Sequence, residues 1–177
     1  WPMKIGVMSD SHGNIDYVRQ AAEYMMDAEI DGIIHLGDDY QDARVLDNLP
    51  ATVLKVPGVY DDVYQDATVP NRLLESISGL RVLITHTRGS NPNDLPQDEK
   101  PEECIAGKKV DIILHGHSHS SCARMEKSVL VINPGHLTAE GKKGEATFAL
   151  VAISNRHVDV EIVNMKGETR SQAGFDL

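Results

Sequence analysis

Residues 4–14 read Lys4-Ile5-Gly6-Val7-Met8-Ser9-Asp10-Ser11-His12-Gly13-Asn14. The apolar run Lys4–Met8 predicts a short strand. Asn14 predicts a helix N-cap, because Val18, Ala21, Ala22, Met25 and Met26 follow it at helical spacing. A carboxylate and an imidazole, Asp10 and His12, therefore sit in the turn between a strand and a helix. Working outward, Gly32–Leu36 (GIIHL) predicts a second strand. A short helix around Asp42–Asn48 follows, ended by Pro50, and Thr52–Val56 predicts a third strand. This β-α-β-α-β order predicts a parallel sheet with right-handed crossovers.

The second half is richer in strands. Leu73–Ser78, Gly79 and Arg81–Thr85 predict a hairpin. Asn91–Lys109 is polar and carries prolines, which predicts a loop leading into a short helix near Glu102–Ala106. Asp111–Leu114 predicts a buried strand, and Cys122–Glu126 with Val129–Ile132 a second hairpin. Ala146–Ser154 and His157–Val163 alternate as a closing antiparallel pair. Lys166–Leu177 predicts a polar tail that frays. No internal repeat and no interdomain linker is visible, so residues 1–177 read as one domain. Trp1 and Pro2 read as an added pair ahead of a natural start at Met3.

Composition narrows the function classes. The chain has 177 residues, enough for a sizeable core without covalent staples. Its net charge of −10 disfavours bulk nucleic-acid binding, because phosphates are repelled over most of the surface. No apolar run approaches the roughly 20 residues of a membrane helix, and no secretory signal is visible. The two cysteines, Cys104 and Cys122, form neither a metal-type pair nor a disulfide framework. A reducing, cytoplasmic location is the simpler expectation. A homo-oligomer is among the assemblies the sequence allows.

The chemistry gathers where the predicted strands end. They run into Ser9-Asp10-Ser11-His12, Gly37-Asp38-Asp39, Pro57-Gly58-Val59-Tyr60-Asp61, His86, and His115-Gly116-His117-Ser118-His119. In open α/β sheets, ligands bind at the carboxyl ends of strands, so these residues are expected to converge in one cleft. Carboxylates mixed with imidazoles suit Mn, Fe, Zn or Ni better than Ca. Two cations about 3.5–4 Å apart clamp a phosphate and activate a water. Gly37 and Gly116 permit sharp turns beside the candidate ligands.

Asp10-x-His12, Gly37-Asp38, His86 and Gly116-His117-x-His119 occur in the order and spacing of the calcineurin-like phosphoesterases, which this chain resembles. It is similar to the small bacterial and archaeal phosphodiesterase branch, which includes the retromer subunit Vps29. Asn133-Pro134-Gly135 resembles that branch's Asn-Pro-Gly turn. The matching residues run from Asp10 to Gly135. Each alone is common; the ordered set is specific. The resemblance implies a four-layer αββα sandwich of two mixed sheets flanked by helices. It implies one or two divalent ions (Mn, Ni, Zn, Fe or Mg). Asp10, His12 and His119 hold the first, His86 and His117 the second, and Asp38 bridges them. It also implies hydrolysis of a small phosphoester, a diester rather than a monoester, by a metal-activated hydroxide without a side-chain nucleophile.

Two segments depart from the family pattern. The third stretch usually reads Gly-Asn-His/Cys-Asp/Glu; here Val59 replaces a metal-binding Asn and offers no donor, and Tyr60 follows. Asp39, Asp61 and Asp62 are candidates to complete the second site. After the fourth strand the branch often has His-Gly-His, where this chain has His86-Thr87-Arg88. Arg88 is a candidate phosphate-binding residue, because guanidinium matches phosphate oxygens in pairs; a surface role is the alternative. Loss of the Asn keeps open a second class of function, a binding or scaffold module on the same fold. A nuclease is disfavoured by the charge. Asp10 alone reads as a helix cap and Asp38-Asp39 alone as a solvated turn; the ordered set favours ligation. His35 and His115 read as core or supporting histidines. His136 and His157 read as structural or surface residues, with His136 also placed to face the cleft.

Overall fold

The structure is a computed structural model and describes residues 3–139 and 143–177. The expected pair Trp1-Pro2 lies outside the described residues. β1 (Met3–Met8) leads through Asp10 and His12 into α1 (Ile15–Asp27), whose N-terminus is capped by Asn14 Oδ1 accepting from the Tyr17 N–H. β2 (Gly32–His35), a 3-10 helix at Tyr40–Leu46 and β3 (Thr52–Lys55) follow. The 3-10 segment replaces the expected short helix and begins two residues earlier. β1 pairs with β2, and β2 with β3, in parallel, as the sequence order predicts.

The remaining strands are β4 (Arg72–Ile77), β5 (Leu80–Thr85), β6 (Ile112–Leu114), β7 (Cys122–Glu126), β8 (Val129–Asn133), β9 (Thr147–Ser154) and β10 (His157–Asn164). α2 (Pro101–Ala106) lies between β5 and β6. The last strand, β11 (Thr169–Asp176), corrects the expectation of a fraying tail. It pairs antiparallel with β10 from Val163↔Thr169 to His157↔Asp176. The return is made at Gly167, which has φ 78°, and Asn164 Oδ1 accepts the N–H groups of Lys166 and Glu168. The Arg170 guanidinium clasps Glu145 through two 2.7 Å hydrogen bonds. β11 is largely exposed, so no apolar alternation marks it in the sequence.

The strands form two mixed sheets, ordered β11-β10-β9-β1-β2-β3 and β4-β5-β6-β8-β7. Alternation along each strand sorts side chains between layers. Ile5, Val7, Ile34 and Leu36 from the first sheet meet Ile84, Leu114, Leu130 and Ile132 from the second in the central core. Met8 and Ile33 point the other way, onto Val18, Ala21 and Met25 of α1 and Ala43 and Leu46 of the 3-10 helix. On the far side Leu83, Ile113 and Val131 pack under Cys104 and Ile105 of α2. The result is the four-layer αββα sandwich implied by the resemblance. No helix among the described residues is long and apolar enough to cross a membrane. β1, β2, β3, β5, β6 and β8 all deliver their C-terminal loops to one edge of the sandwich.

Candidate metal centre

At that edge the six expected ligands converge. Asp10, His12 and His119 offer ligand atoms within 4.8 Å of one another, and so do Asp38, His86 and His117. In the first group His119 Nε2 stands 3.1 Å from Asp10 Oδ1 and 3.3 Å from His12 Nε2. In the second, His86 Nε2 stands 3.3 Å from Asp38 Oδ2 and 3.2 Å from His117 Nδ1. Donors about 2.1 Å from a shared tetrahedral cation are separated by about 3.4 Å, which these spacings approach. The carboxylates link the groups. Asp38 Oδ2 is also 3.8 Å from His12 Nε2, and Asp10 Oδ1 is 4.0 Å from His86 Nε2.

The backbone bends to achieve this. Asp10, His12, Asp38, His117 and His119 all have positive φ, between 45° and 67°, and only His86 among the six does not. L-residues adopt such conformations at a cost that clusters at functional sites. Hydrogen bonds between loops hold them: Asp10 N to Gly37 O, His12 N to Asp38 O and Gly116 N to His86 O, each 2.9 Å. Gly116 lets its loop approach β1. A Cβ there would stand 2.0 Å from Ser9 Oγ and 2.6 Å from Asp10 Oδ2. At Gly58 a Cβ would stand 1.6 Å from Asp38 Oδ1, so the third loop also presses on a candidate ligand.

Supporting groups aim each donor. Ser9 Oγ donates to Asp10 Oδ2 at 2.5 Å and the His117 N–H to the same oxygen at 3.0 Å. Asp10 Oδ1 is buried and accepts no hydrogen bond. A buried anionic oxygen without a donor is costly, and a cation is the partner that fits it. Burial raises the Asp10 carboxyl, but His119, the charge of His86 and the Ser9 hydroxyl outweigh it and hold it at about 2. His86 Nδ1–H donates to the Leu36 carbonyl at 2.7 Å, which leaves Nε2 free to ligate. Burial lowers the His86 imidazole, and the carboxylates of Asp38 and Asp10 reverse this, for a net upward shift. The residues present thus fit divalent cations in both groups.

A buried chain backs the first loop. The Gly37 N–H donates to His35 Nδ1 at 3.2 Å, so His35 Nε2 carries the proton and donates to Ser11 Oγ, also at 3.2 Å. Ser11 donates in turn to Asp42 Oδ2 at 2.6 Å, which also accepts from the Gly13 N–H. His35 is thus a supporting residue, whereas the part of Ser11 and Asp42 has no signature in the sequence. Burial, the leading influence, pushes His35 down to about 4. Asn133 Nδ2 donates to Gly116 O and Ser118 Oγ, so the Asn133-Pro134-Gly135 turn steadies the His117 loop.

The profile of the calcineurin-like phosphoesterase superfamily domain matches residues 3–156. The chain belongs to this superfamily. A phosphodiesterase of Methanocaldococcus jannaschii is 29% identical over 146 residues, covering 75% of this chain and 83% of that protein. A probable metallophosphoesterase of Bacillus subtilis is 26% identical over 167 residues, 93% of each chain. The structure of vacuolar protein sorting 29 from Cryptosporidium parvum superposes with a TM-score of 0.75 at 18% identity, covering both chains completely, which is a likeness of fold.

Val59 is buried, and its carbonyl accepts from Asn93 Nδ2 at 2.9 Å. Asp61 Oδ2 accepts from the N–H groups of Gly58, Tyr40 and Asp38 at 2.6, 3.0 and 3.4 Å, so it braces the loop. Asp39 and Asp62 are exposed, and among the described residues the second group stays at Asp38, His86 and His117. Tyr60 is exposed, its ring 6.4 Å from that of His117. Arg88 is half-buried and paired with Glu126, its Nε 3.0 Å from Oε2. His115 is buried, with Nδ1–H donating to Gly116 O. His136 is buried and stacks on His119 with ring centroids 5.2 Å apart, so it adjoins the centre. His157 lies at the opposite end of the sheet, against Asp159 and Asp176.

Arg72 supplies a second feature that the sequence did not signal. Its buried guanidinium donates to Thr85, Thr87 and Asp94 and lies 4.0 Å from Asp98. Tyr64 Oη donates to the other oxygen of Asp94. This cluster ties the Asn91–Asp98 loop to Thr85 and Thr87, which flank His86, and Asn93 ties the same loop to the Val59 carbonyl.

Proposed function

We propose that this protein is a metal-dependent phosphoesterase acting on phosphodiesters, with Asp10, His12 and His119 at one cation, His86 and His117 at a second, and Asp38 shared between them. The observation that carries this reading is the position of Asp38 Oδ2, 3.3 Å from His86 Nε2 and 3.8 Å from His12 Nε2. When bound, the cations supply Lewis acidity toward the phosphoryl oxygens and activation of water as the nucleophile. The mixed imidazole and carboxylate set suits Mn, Fe, Zn or Ni, with Mn first among them in this reading.

The chain's own residues prepare the site. Ser9 and the His117 N–H hold one oxygen of Asp10 so that the other faces the centre. The Leu36 carbonyl fixes the His86 tautomer. The serines beside the ligands are committed elsewhere, Ser9 to Asp10 and Ser11 to Asp42, and both are buried. This supports water, not a side chain, as the nucleophile. Tyr60 and the Asn91–Asp98 loop bound the mouth where a substrate enters. Free thiols at Cys104 and Cys122 agree with a cytoplasmic location.

Turnover of bis(p-nitrophenyl) phosphate by wild type and Asp38→Asn tests the reading. Loss of the shared carboxylate is expected to cut activity by about 100-fold or more. Near-normal turnover of the variant would sink the assignment. A scaffold role is the second reading, favoured by the missing Asn at Val59 and by the fold likeness to vacuolar protein sorting 29. Six retained candidate ligand side chains, five of them on left-handed backbone, weigh against it, because a docking surface has no use for them.

A further inference from the structure

Beside the candidate centre the structure holds a separate cavity of about 490 Å³. Gly116, His117 and Ser118 form the wall it shares with the centre, and Arg88 and Arg124 line it further out. Its charge contrasts with its surroundings. The whole chain carries −10, and the hollow under Tyr60 is lined by Asp39, Asp61 and Asp62. On this side of His117 two guanidinium groups line the cavity instead.

The strand geometry explains this lining. Along β7 side chains alternate, so Cys122, Arg124 and Glu126 share one face while Ala123 packs toward the central core. Glu126 on that face holds Arg88, which arrives from the loop after β5. Arg124 is exposed, its Nη1 rests 3.4 Å from Cys122 Sγ, and among the described residues it forms no salt bridge. One guanidinium is thus fixed in place by its carboxylate, and its neighbour is left with donors to spare. Guanidinium donors in fork geometry are matched by the oxygens of phosphate or carboxylate.

We propose that this cavity seats a second anionic group of the substrate, a phosphate or a carboxylate borne on the ester arm, with Arg124 as its principal contact and Arg88 as support. The proposal rests on the phosphoester reading, because the metal centre must hold the reacting phosphate while the cavity holds the other anion. The preferred substrates are then small phosphoesters carrying two anionic groups. Plain alkyl or aryl esters bind less well. The acidic hollow beneath Tyr60 sets the direction, since it repels an anion placed on that side.

Calorimetric binding to protein saturated with Mn²⁺ tests this with three probes: ethyl phosphate, phosphoglycolate, and the bisphosphate of ethane-1,2-diol. Wild type is expected to bind one or both of the probes that carry a second anionic group about 10-fold or more tightly than ethyl phosphate. Which of the two gains identifies the preferred anion. Arg124→Gln, an exposed change, is expected to remove that gain while leaving ethyl phosphate affinity unchanged; Arg88→Gln reduces the gain in part. High salt is expected to shrink it. Equal affinity for all three probes overturns the proposal alone. A gain that persists in Arg124→Gln also overturns it, because the second anion then contacts the metal and not the cavity. Failure of wild type to bind any probe while it still turns over bis(p-nitrophenyl) phosphate overturns this proposal alone; failure of both binding and turnover overturns the phosphoester reading, and this proposal with it.

Discussion

Gly116→Ala isolates how tightly the second sheet's loop is fitted against Ser9 and Asp10, the candidate ligand of the first sheet. Gly116 does not use a left-handed backbone conformation, so the added methyl acts by contact alone. Ordinary contact begins near 3.4 Å, and the new Cβ would stand 2.0 Å from Ser9 Oγ and 2.6 Å from Asp10 Oδ2. Ser9 must therefore retreat by about 1.4 Å and the carboxylate by about 0.8 Å, and both residues are fully buried. Metal–ligand distances tolerate only about 0.2 Å. Affinity for Mn²⁺ at the Asp10, His12 and His119 group should fall by at least about 10–100-fold. Overpacking should cost about 1–3 kcal/mol, or roughly 2–12 °C in Tm for a chain of this size. Calorimetric Mn²⁺ titration and thermal melts of the metal-free protein measure the two effects separately. Adding Ser9→Ala relieves the shorter contact, so it should recover part of the Tm without restoring affinity. Wild-type Mn²⁺ affinity in Gly116→Ala would refute the reasoning.

Other outcomes follow from the same geometry. His35 has a folded value near 4 against an ordinary 6.5, so the unfolded chain binds more protons between those values. Stability should therefore rise with pH from 4 to 6.5, at up to about 1.4 kcal/mol per pH unit; denaturant melts of wild type and His35→Gln in metal-free buffer should show the slope flattened in the variant. Arg72→Met leaves the partly buried Asp94 and Asp98 without their cation and should cost up to about 3 kcal/mol, read as a fall in the urea midpoint. Val59→Asn should strengthen binding of a second ion by about 10-fold, measured by competitive titration; unchanged stoichiometry and affinity would mean that position 59 does not reach the second group.

The candidate centre is legible in the sequence because each candidate ligand follows a strand and carries its own chemistry. Asp10, His12, Asp38, His86, His117 and His119 stand after four strands that apolar runs mark clearly, and parallel order sends those strand ends to one edge. Features that depend on contacts across the chain are not legible in this way. The Arg88–Glu126 pair joins residues 38 positions apart, and nothing near Arg88 announces its partner. Ser11 and Asp42 look like ordinary turn residues until His35 is placed between strand and loop. β11 escapes notice for a different reason. An edge strand exposed on both faces has no hydrophobic period, and only the turn chemistry of Asn164 and Gly167 announces the return. The 3-10 helix at Tyr40–Leu46 reads as an ordinary helix because both bury Ala43 and Leu46 under α1.

Anomalous scattering from crystals soaked in Mn²⁺ tests the central claim most directly. Two peaks about 3.5–4 Å apart are expected, one against Asp10, His12 and His119 and one against His86 and His117, with Asp38 touching both. A single peak, or none, in fully soaked crystals would contradict the shared two-cation centre.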